Sequence, residues 1–170
     1  SGSNRSHYQL YEAVCGQDED SAYVELHRTS PSMEQGFPGN LDQSIRYTLT
    51  AQNELKITYH AVSDETTVIN LTNHSYFNLG GHDSGDILDH ELEIYADAFL
   101  LTDATLLPTG EIASVEGTPM DFRTMHTVGE RINADYEPLR LAGGYDHNYA
   151  LNNTGEEAEY VAELYDKKSG

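Results

Sequence analysis

Alternation of apolar and polar residues is the dominant pattern along the chain, and it predicts β-strands. Residues 22–27 alternate with the two-residue period of a strand that has one buried face. Residues 45–49 and 55–59 alternate in the same way, and the polar stretch 50–54 between them predicts a β-hairpin. Further strand patterns occupy residues 68–71, 91–95 and 159–165.

Helical spacing of apolar residues occurs in two short segments only. They span residues 124–131 and 136–141, and each is long enough for no more than about two turns. Because strand patterns dominate, the sequence predicts an all-β, antiparallel architecture, either a sandwich or a barrel. The length of 170 residues suits a single domain over residues 1–170.

The last strand pattern, at residues 159–165, is followed at 166–170 by residues that favour a turn. A strand without a returning partner leaves an unpaired sheet edge, which proteins normally avoid or cover. We therefore expect this strand to lie at a sheet edge and the chain to be part of a longer protein. An ordinary polar tail is the alternative.

Charge narrows the classes of partner. The formal net charge is −20, so the surface repels phosphate backbones, and we expect no nucleic-acid partner and a neutral ligand. No apolar run reaches the roughly eighteen residues of a membrane span, which predicts no membrane partner. The single Cys15 excludes an internal disulfide and favours a reducing compartment such as the cytoplasm.

The most informative stretch is Leu-Thr-Asn-His-Ser-Tyr-Phe-Asn-Leu-Gly-Gly at residues 71–81. Groups able to hydrogen-bond stand among apolar ones, and each costs about 1–3 kcal/mol if it is buried without a partner. The mixture is typical of the wall of a polar-ligand pocket, with His74 as the proton carrier. A structural histidine at a strand end is the alternative. We expect Tyr76 and Phe77 to belong to the core, with stacking on a ligand as the alternative.

This stretch resembles the central motif of the aldose 1-epimerases (galactose mutarotases). Matching segments follow the family in order and spacing, at residues 34–39, 46–49, 107–112, 117–123 and 143–149. The resemblance implies an antiparallel β-sandwich of the galactose mutarotase-like type, apparently incomplete, because family members are about twice as long. It also implies a cofactor-free isomerase that interconverts the α and β anomers of a neutral aldose such as galactose or glucose.

The resemblance assigns roles to two residues of this chain, and the residue types of the motif add a third candidate. His74 corresponds to the catalytic acid of the family, and Asp146 to its sugar-binding aspartate. Asn73 is a candidate hydrogen-bonding partner of the sugar. The family's general base, a glutamate, belongs to a C-terminal part that this chain lacks, so the isolated chain is expected to be inactive. An Asx-turn is the alternative for Asp146.

Other chemistry is weakly indicated. His82, Asp86 and His90 contain metal-binding residue types, but their spacing suits neither a helix face nor a tight turn, and we expect no metal. Asp121 and Arg123 are expected to form a structural ion pair. A non-catalytic carbohydrate-binding module of the same fold is the main alternative to the enzyme. A mutarotase for phosphorylated hexoses is disfavoured, because the motifs contain no cluster of basic residues.

Overall fold

The computed structural model describes residues 9–153, 155 and 158–170. These residues form ten β-strands and one short α-helix, and every strand pairing among them is antiparallel. The predicted all-β class is therefore confirmed. The chain divides into two compact units, Ser1–His74 and Ser75–Gly170. A single domain over residues 1–170 stays a prediction.

The first unit is a four-stranded sheet in which each strand pairs with the next along the chain. Its strands are β1 (Glu12–Gln17), β2 (Ser21–Ser30), β3 (Leu41–Thr50) and β4 (Leu55–Ser63). Leu26 pairs with Ile45, which pairs with Tyr59, so these side chains share one apolar face. The opposite face is polar and includes the ion pair between Arg46 and Glu25, at 2.6 Å.

The predicted hairpin is confirmed as β3 and β4. Leu49 pairs with Leu55, and the Thr50 N–H donates to the Glu54 carbonyl oxygen over 3.0 Å. Asn53 in this turn has a φ of 62°, the left-handed conformation that asparagine tolerates better than most residues.

The predicted strand at residues 68–71 is wrong. Residues 66–78 have neither helix nor strand, and Val68 is 74% exposed. An apolar run of four residues is too short to define a period, and here it does not mark a buried strand.

The second unit contains two three-stranded sheets. Its strands are β5 (Glu91–Ile94), β6 (Ala96–Thr102), β7 (Pro108–Ser114), β8 (His126–Thr127), β9 (Tyr149–Leu151) and β10 (Ala162–Tyr165). The strand orders are β10-β5-β8 and β7-β6-β9. Among the described residues, β10 pairs with β5 alone, so it lies at a sheet edge as predicted.

The buried apolar side chains of the described residues all belong to this second unit. Phe99, Val115, Met120 and Leu139 form one cluster, each at most 2% exposed. Leu139 lies on α1 (Glu137–Ala142), which the sequence predicts at 136–141. The helix ends at Gly143, whose φ of 71° is the left-handed conformation of a helix C-terminus.

The predicted helix at residues 124–131 is wrong. His126 and Thr127 form β8 and pair with Leu92 and Glu91 of β5, and a 3₁₀ turn follows at Val128–Glu130. Hydrogen bonds to the neighbouring strand therefore override the helical spacing of the apolar residues. In the part of the chain that the structure describes, no helix has the length and apolar character needed to cross a bilayer.

Candidate functional site

The polar motif that contains His74 lies in the irregular connection between β4 and β5. Asn73 and His74 are both exposed, so their side chains can reach a ligand in solvent. The Thr72 hydroxyl donates to the Asn73 carbonyl oxygen over 3.3 Å. His74 is the last residue of the first unit, and Ser75 is the first residue of the second.

The start of this connection borders the 34–39 loop within the first unit. Residues 67–71 and the loop together line a cavity of about 220 Å³. Glu34 fixes the loop, because it accepts hydrogen bonds from Arg28, at 2.5 Å, and from the Ser30 hydroxyl. These hydrogen bonds, that from Arg28 above all, lower the pKa of the Glu34 carboxyl. The hydrogen bonds of Glu34 therefore fix the conformation of the loop that borders residues 67–71, the segment leading to the motif.

The end of the motif is held by side chains of the second unit. Asn78 accepts hydrogen bonds from the Gly80 N–H, at 3.0 Å, and from the Ser84 hydroxyl, at 3.1 Å. Its amide donates to the Gly85 carbonyl oxygen over 3.1 Å. Asn78 therefore organises a turn, although its residue type alone fits a ligand contact equally well.

The prediction that Tyr76 and Phe77 belong to the core is wrong, since they are 90% and 62% exposed. Both side chains border an open groove of about 620 Å³ within the second unit, and Tyr145 borders the same groove. This volume is in the range of small-molecule sites. Residues 75–78 of the motif and Tyr145 of the segment 143–149 therefore border one groove of the second unit.

Asp146 lies in that second segment, between two tyrosines that are tied to the same stretch of chain. The Tyr145 hydroxyl donates to the Pro119 carbonyl oxygen over 3.1 Å, and the Tyr149 hydroxyl donates to the Met120 carbonyl oxygen over 2.9 Å. Burial raises the pKa of both phenols, so they stay protonated donors. The Asp146 side chain is exposed between these two anchors.

His147 follows Asp146 and is half-buried. Its ring lies edge-on to Phe99, with centroids 5.6 Å apart. Its Nδ1 accepts a hydrogen bond from the Asp146 N–H over 3.3 Å. Burial lowers the pKa of His147, and the neighbouring Asp146 carboxylate opposes this only in part. A neutral imidazole therefore supports the backbone of the Asp146 loop.

The predicted ion pair of Asp121 and Arg123 is confirmed. The guanidinium contacts both carboxylate oxygens, with Nε at 2.9 Å from Oδ1 and Nη2 at 2.7 Å from Oδ2. The pair lowers the pKa of Asp121 and raises that of Arg123. It is a structural contact at the end of the 117–123 segment.

His82, Asp86 and His90, whose residue types can bind metals, do not form one cluster of ligands. No group of three or more histidine, cysteine, aspartate or glutamate side chains among the described residues is arranged to hold a metal ion. His90 is instead buried and accepts a hydrogen bond through Nε2 from the Leu79 N–H, at 3.1 Å. Sequence reasoning missed this role, because the contact joins residues eleven positions apart.

A larger cavity, of about 770 Å³, lies on the sheet of the first unit, and none of His74, Asn73 and Asp146 lines either this cavity or the groove beside Tyr76 and Tyr145. Its border includes His27 and His60. We take the smaller groove beside Tyr76 and Tyr145 as the candidate site, because both of its motif segments carry groups with a predicted chemical role.

Two solved structures share the fold. The galactose 1-epimerase of Lactobacillus acidophilus superposes with a TM-score of 0.85 and 33% identity, over 94% of this chain and 46% of that chain. An aldose epimerase homologue from C. elegans superposes with a TM-score of 0.76 and 28% identity, over 99% of this chain and 49% of that chain. The fold is therefore that of the sugar epimerases, as the sequence predicts.

The sequence model described as aldose 1-epimerase matches residues 2–170. The chain belongs to the aldose 1-epimerase family. It is 44% identical to the galactose mutarotase of Bos taurus over 147 residues, which are 86% of this chain and 41% of that protein. It is 39% identical to the aldose 1-epimerase of Escherichia coli over 137 residues, which are 81% of this chain and 39% of that protein. The chain thus spans about two fifths of the length of these relatives.

Proposed function

We propose that this chain provides the proton donor and a sugar-binding wall of an aldose 1-epimerase that acts on a neutral aldose such as galactose or glucose. One observation carries the proposal: Ser75, Tyr76 and Phe77 border the same groove as Tyr145. His74 directly precedes Ser75 in sequence, and Asp146 directly follows Tyr145. Family membership supports the reaction class.

The reaction needs one acid and one base. A base removes the proton of the C1 hydroxyl while an acid protonates the ring oxygen, so the bond between C1 and the ring oxygen breaks and an open-chain aldehyde forms. After rotation about the C1–C2 bond, the ring closes on the other face and both protons return. The groups must lie within hydrogen-bond reach of the sugar.

His74 is proposed as the acid at the ring oxygen. An imidazole suits this step because its ordinary pKa of about 6.5 allows it to give and regain a proton near neutral pH. The exposure of its side chain supports contact with a sugar from solvent. The general base is proposed to come from a segment that corresponds to the part of the relatives' length that this chain does not span.

Asp146 is proposed to bind sugar hydroxyls. A carboxylate accepts hydroxyl hydrogen bonds that are about twice as strong as neutral ones. The described residues provide no hydrogen-bond partner for its side-chain oxygens, which leaves them available to a ligand. Asn73 is proposed to hydrogen-bond the same class of ligand through its amide.

Charge and cysteine content support two further parts of the proposal. With a net charge of −20, a neutral monosaccharide is favoured over a sugar phosphate as substrate. Cys15 is exposed and has no disulfide partner, which supports a reducing compartment, and we propose the cytoplasm.

The test uses a hybrid enzyme in which this chain replaces the matching segment of the bovine galactose mutarotase. Polarimetry of freshly dissolved α-galactose should show mutarotation well above the buffer rate. A folded hybrid that binds galactose without accelerating mutarotation would contradict the proposal and favour a carbohydrate-binding module. The 170-residue chain alone, assayed in parallel, is expected to leave the rate at that of the buffer.

A further inference from the structure

His90 is a buried polar residue whose ring contacts the end of the His74 motif. The residue is 4% exposed, and its Nε2 accepts a hydrogen bond from the Leu79 N–H over 3.1 Å. A ring nitrogen that accepts from an N–H carries no proton itself, so neutral His90 carries its proton on Nδ1. The contact therefore depends on an acceptor at Nε2 and not merely on a side chain of this size.

The backbone of His90 is fixed on both sides. Its N–H donates to the Ile87 carbonyl oxygen over 3.0 Å, and its carbonyl oxygen accepts from the Val128 N–H over 2.9 Å. The Gly129 N–H then donates to the Leu88 carbonyl oxygen over 2.8 Å. His90 also directly precedes β5 in sequence. These backbone hydrogen bonds therefore fix the position from which the His90 imidazole extends within the second unit.

Leu79 lies within the turn that Asn78 organises, directly after Asn78. The Asn78 side chain fixes Gly80, Ser84 and Gly85 on the far side of that turn. The His90 side chain accepts the hydrogen bond of the Leu79 N–H at the point where the irregular segment from residue 66 ends. Without this contact, the anchored turn would no longer be tied through Leu79 to β5.

We propose that His90 is a positioning residue for the aldose 1-epimerase reaction. It holds the C-terminal end of the segment that carries Asn73 and His74, and so limits the range of positions that the His74 ring can adopt. Only the expected effect of His90 on kcat and KM rests on the proposed function; the hydrogen bond to Leu79 does not. Placing a reacting group within a fraction of an ångström is worth large factors in rate, so loosening the segment should lower kcat more than it raises KM.

Three variants separate this role from simple packing. His90→Leu keeps much of the side-chain volume and removes the acceptor. His90→Gln replaces the ring with a side chain whose terminal oxygen can accept near the Nε2 position. His82→Gln is the matched control, because His82 is an exposed histidine in the same connection.

The first measurement is nuclear magnetic resonance on the complete 170-residue chain. The parent should show an unprotonated Nε2 on His90. In His90→Leu the Leu79 amide should exchange with solvent about tenfold faster, and the His74 ring signals should shift. His90→Gln should restore most of the protection, and His82→Gln should change neither signal. A proton on Nε2 of the parent, which requires no folded variant, would overturn the proposal.

The second measurement is mutarotation by the hybrid enzyme. His90→Leu should lower kcat by about ten- to a hundredfold with KM changed less than about threefold, and His90→Gln should recover most of the loss. Unchanged kcat in a folded His90→Leu hybrid, or unchanged Leu79 exchange in the folded chain, would also overturn the proposal. If the parent hybrid shows no mutarotation while the Leu79 and His74 responses are present, the proposed function fails and the positioning contact stands.

Discussion

The hydroxyl of Tyr149 provides a quantitative probe of the loop that carries Asp146. It donates to the Met120 carbonyl oxygen over 2.9 Å, and the Phe122 N–H donates to that same oxygen over 3.1 Å. Tyr149→Phe therefore removes one hydrogen bond but leaves the acceptor with a second donor. The expected loss is that of a net hydrogen bond, about 0.5–1.5 kcal/mol, and not the larger cost of an unsatisfied buried carbonyl.

Urea unfolding followed by circular dichroism measures this loss. For an m-value of about 2 kcal/mol per molar urea, a loss of about 1 kcal/mol lowers the midpoint by about 0.5 M. Tyr160→Phe is the control, because Tyr160 is 67% exposed and its hydroxyl donates a solvent-exposed hydrogen bond to the Glu163 carboxylate. It should stay within about 0.5 kcal/mol of the parent. A loss above about 3 kcal/mol for Tyr149→Phe, or none at all, would refute the reasoning.

Two further predictions concern the same loop. Asp146→Ala should weaken galactose binding by the hybrid enzyme by about 1.5–3 kcal/mol, the value of a charged hydrogen bond. Calorimetry measures this loss, with the exposed Asp83→Ala as the control. An unchanged Kd in a folded Asp146→Ala protein would remove Asp146 from the site. Because burial lowers the folded-state pKa of His147, its neutral form contributes stability that is complete above the unfolded pKa of about 6.5 and is lost as pH falls below that value. His147→Gln should therefore show a smaller loss of stability between about pH 6.5 and 5 in urea titrations, and equal slopes for parent and variant would contradict this.

The sequence predicted the parts of the fold that repeat a short period over many residues. The hairpin of β3 and β4 and the strand that contains Val24 follow from two-residue alternation, because this period puts the apolar residues of paired strands on one face of the sheet. The Asp121–Arg123 pair was predictable because residues two apart on an extended chain lie on the same side.

The errors have physical causes. Residues 126 and 127 lie within a segment whose apolar residues follow helical spacing, but their backbone groups pair with β5, and no local pattern reports a partner more than thirty residues away. Tyr76 and Phe77 are apolar by type, yet they border an open groove. The hydrogen bond from the Leu79 N–H to His90 was not predicted either, because the residue types around a histidine do not show which group it hydrogen-bonds.

The central claim, that His74 transfers the proton, is tested most directly by one substitution in the hybrid enzyme. His74→Asn removes the imidazole that is proposed to transfer the proton and keeps a polar side chain. The kcat for mutarotation of α-galactose, measured by polarimetry, should fall by about 10²–10⁴, the usual contribution of a positioned acid or base, while sugar affinity changes far less. Exposed His82→Asn should leave kcat unchanged. A kcat for His74→Asn within a few-fold of the parent would contradict the assignment.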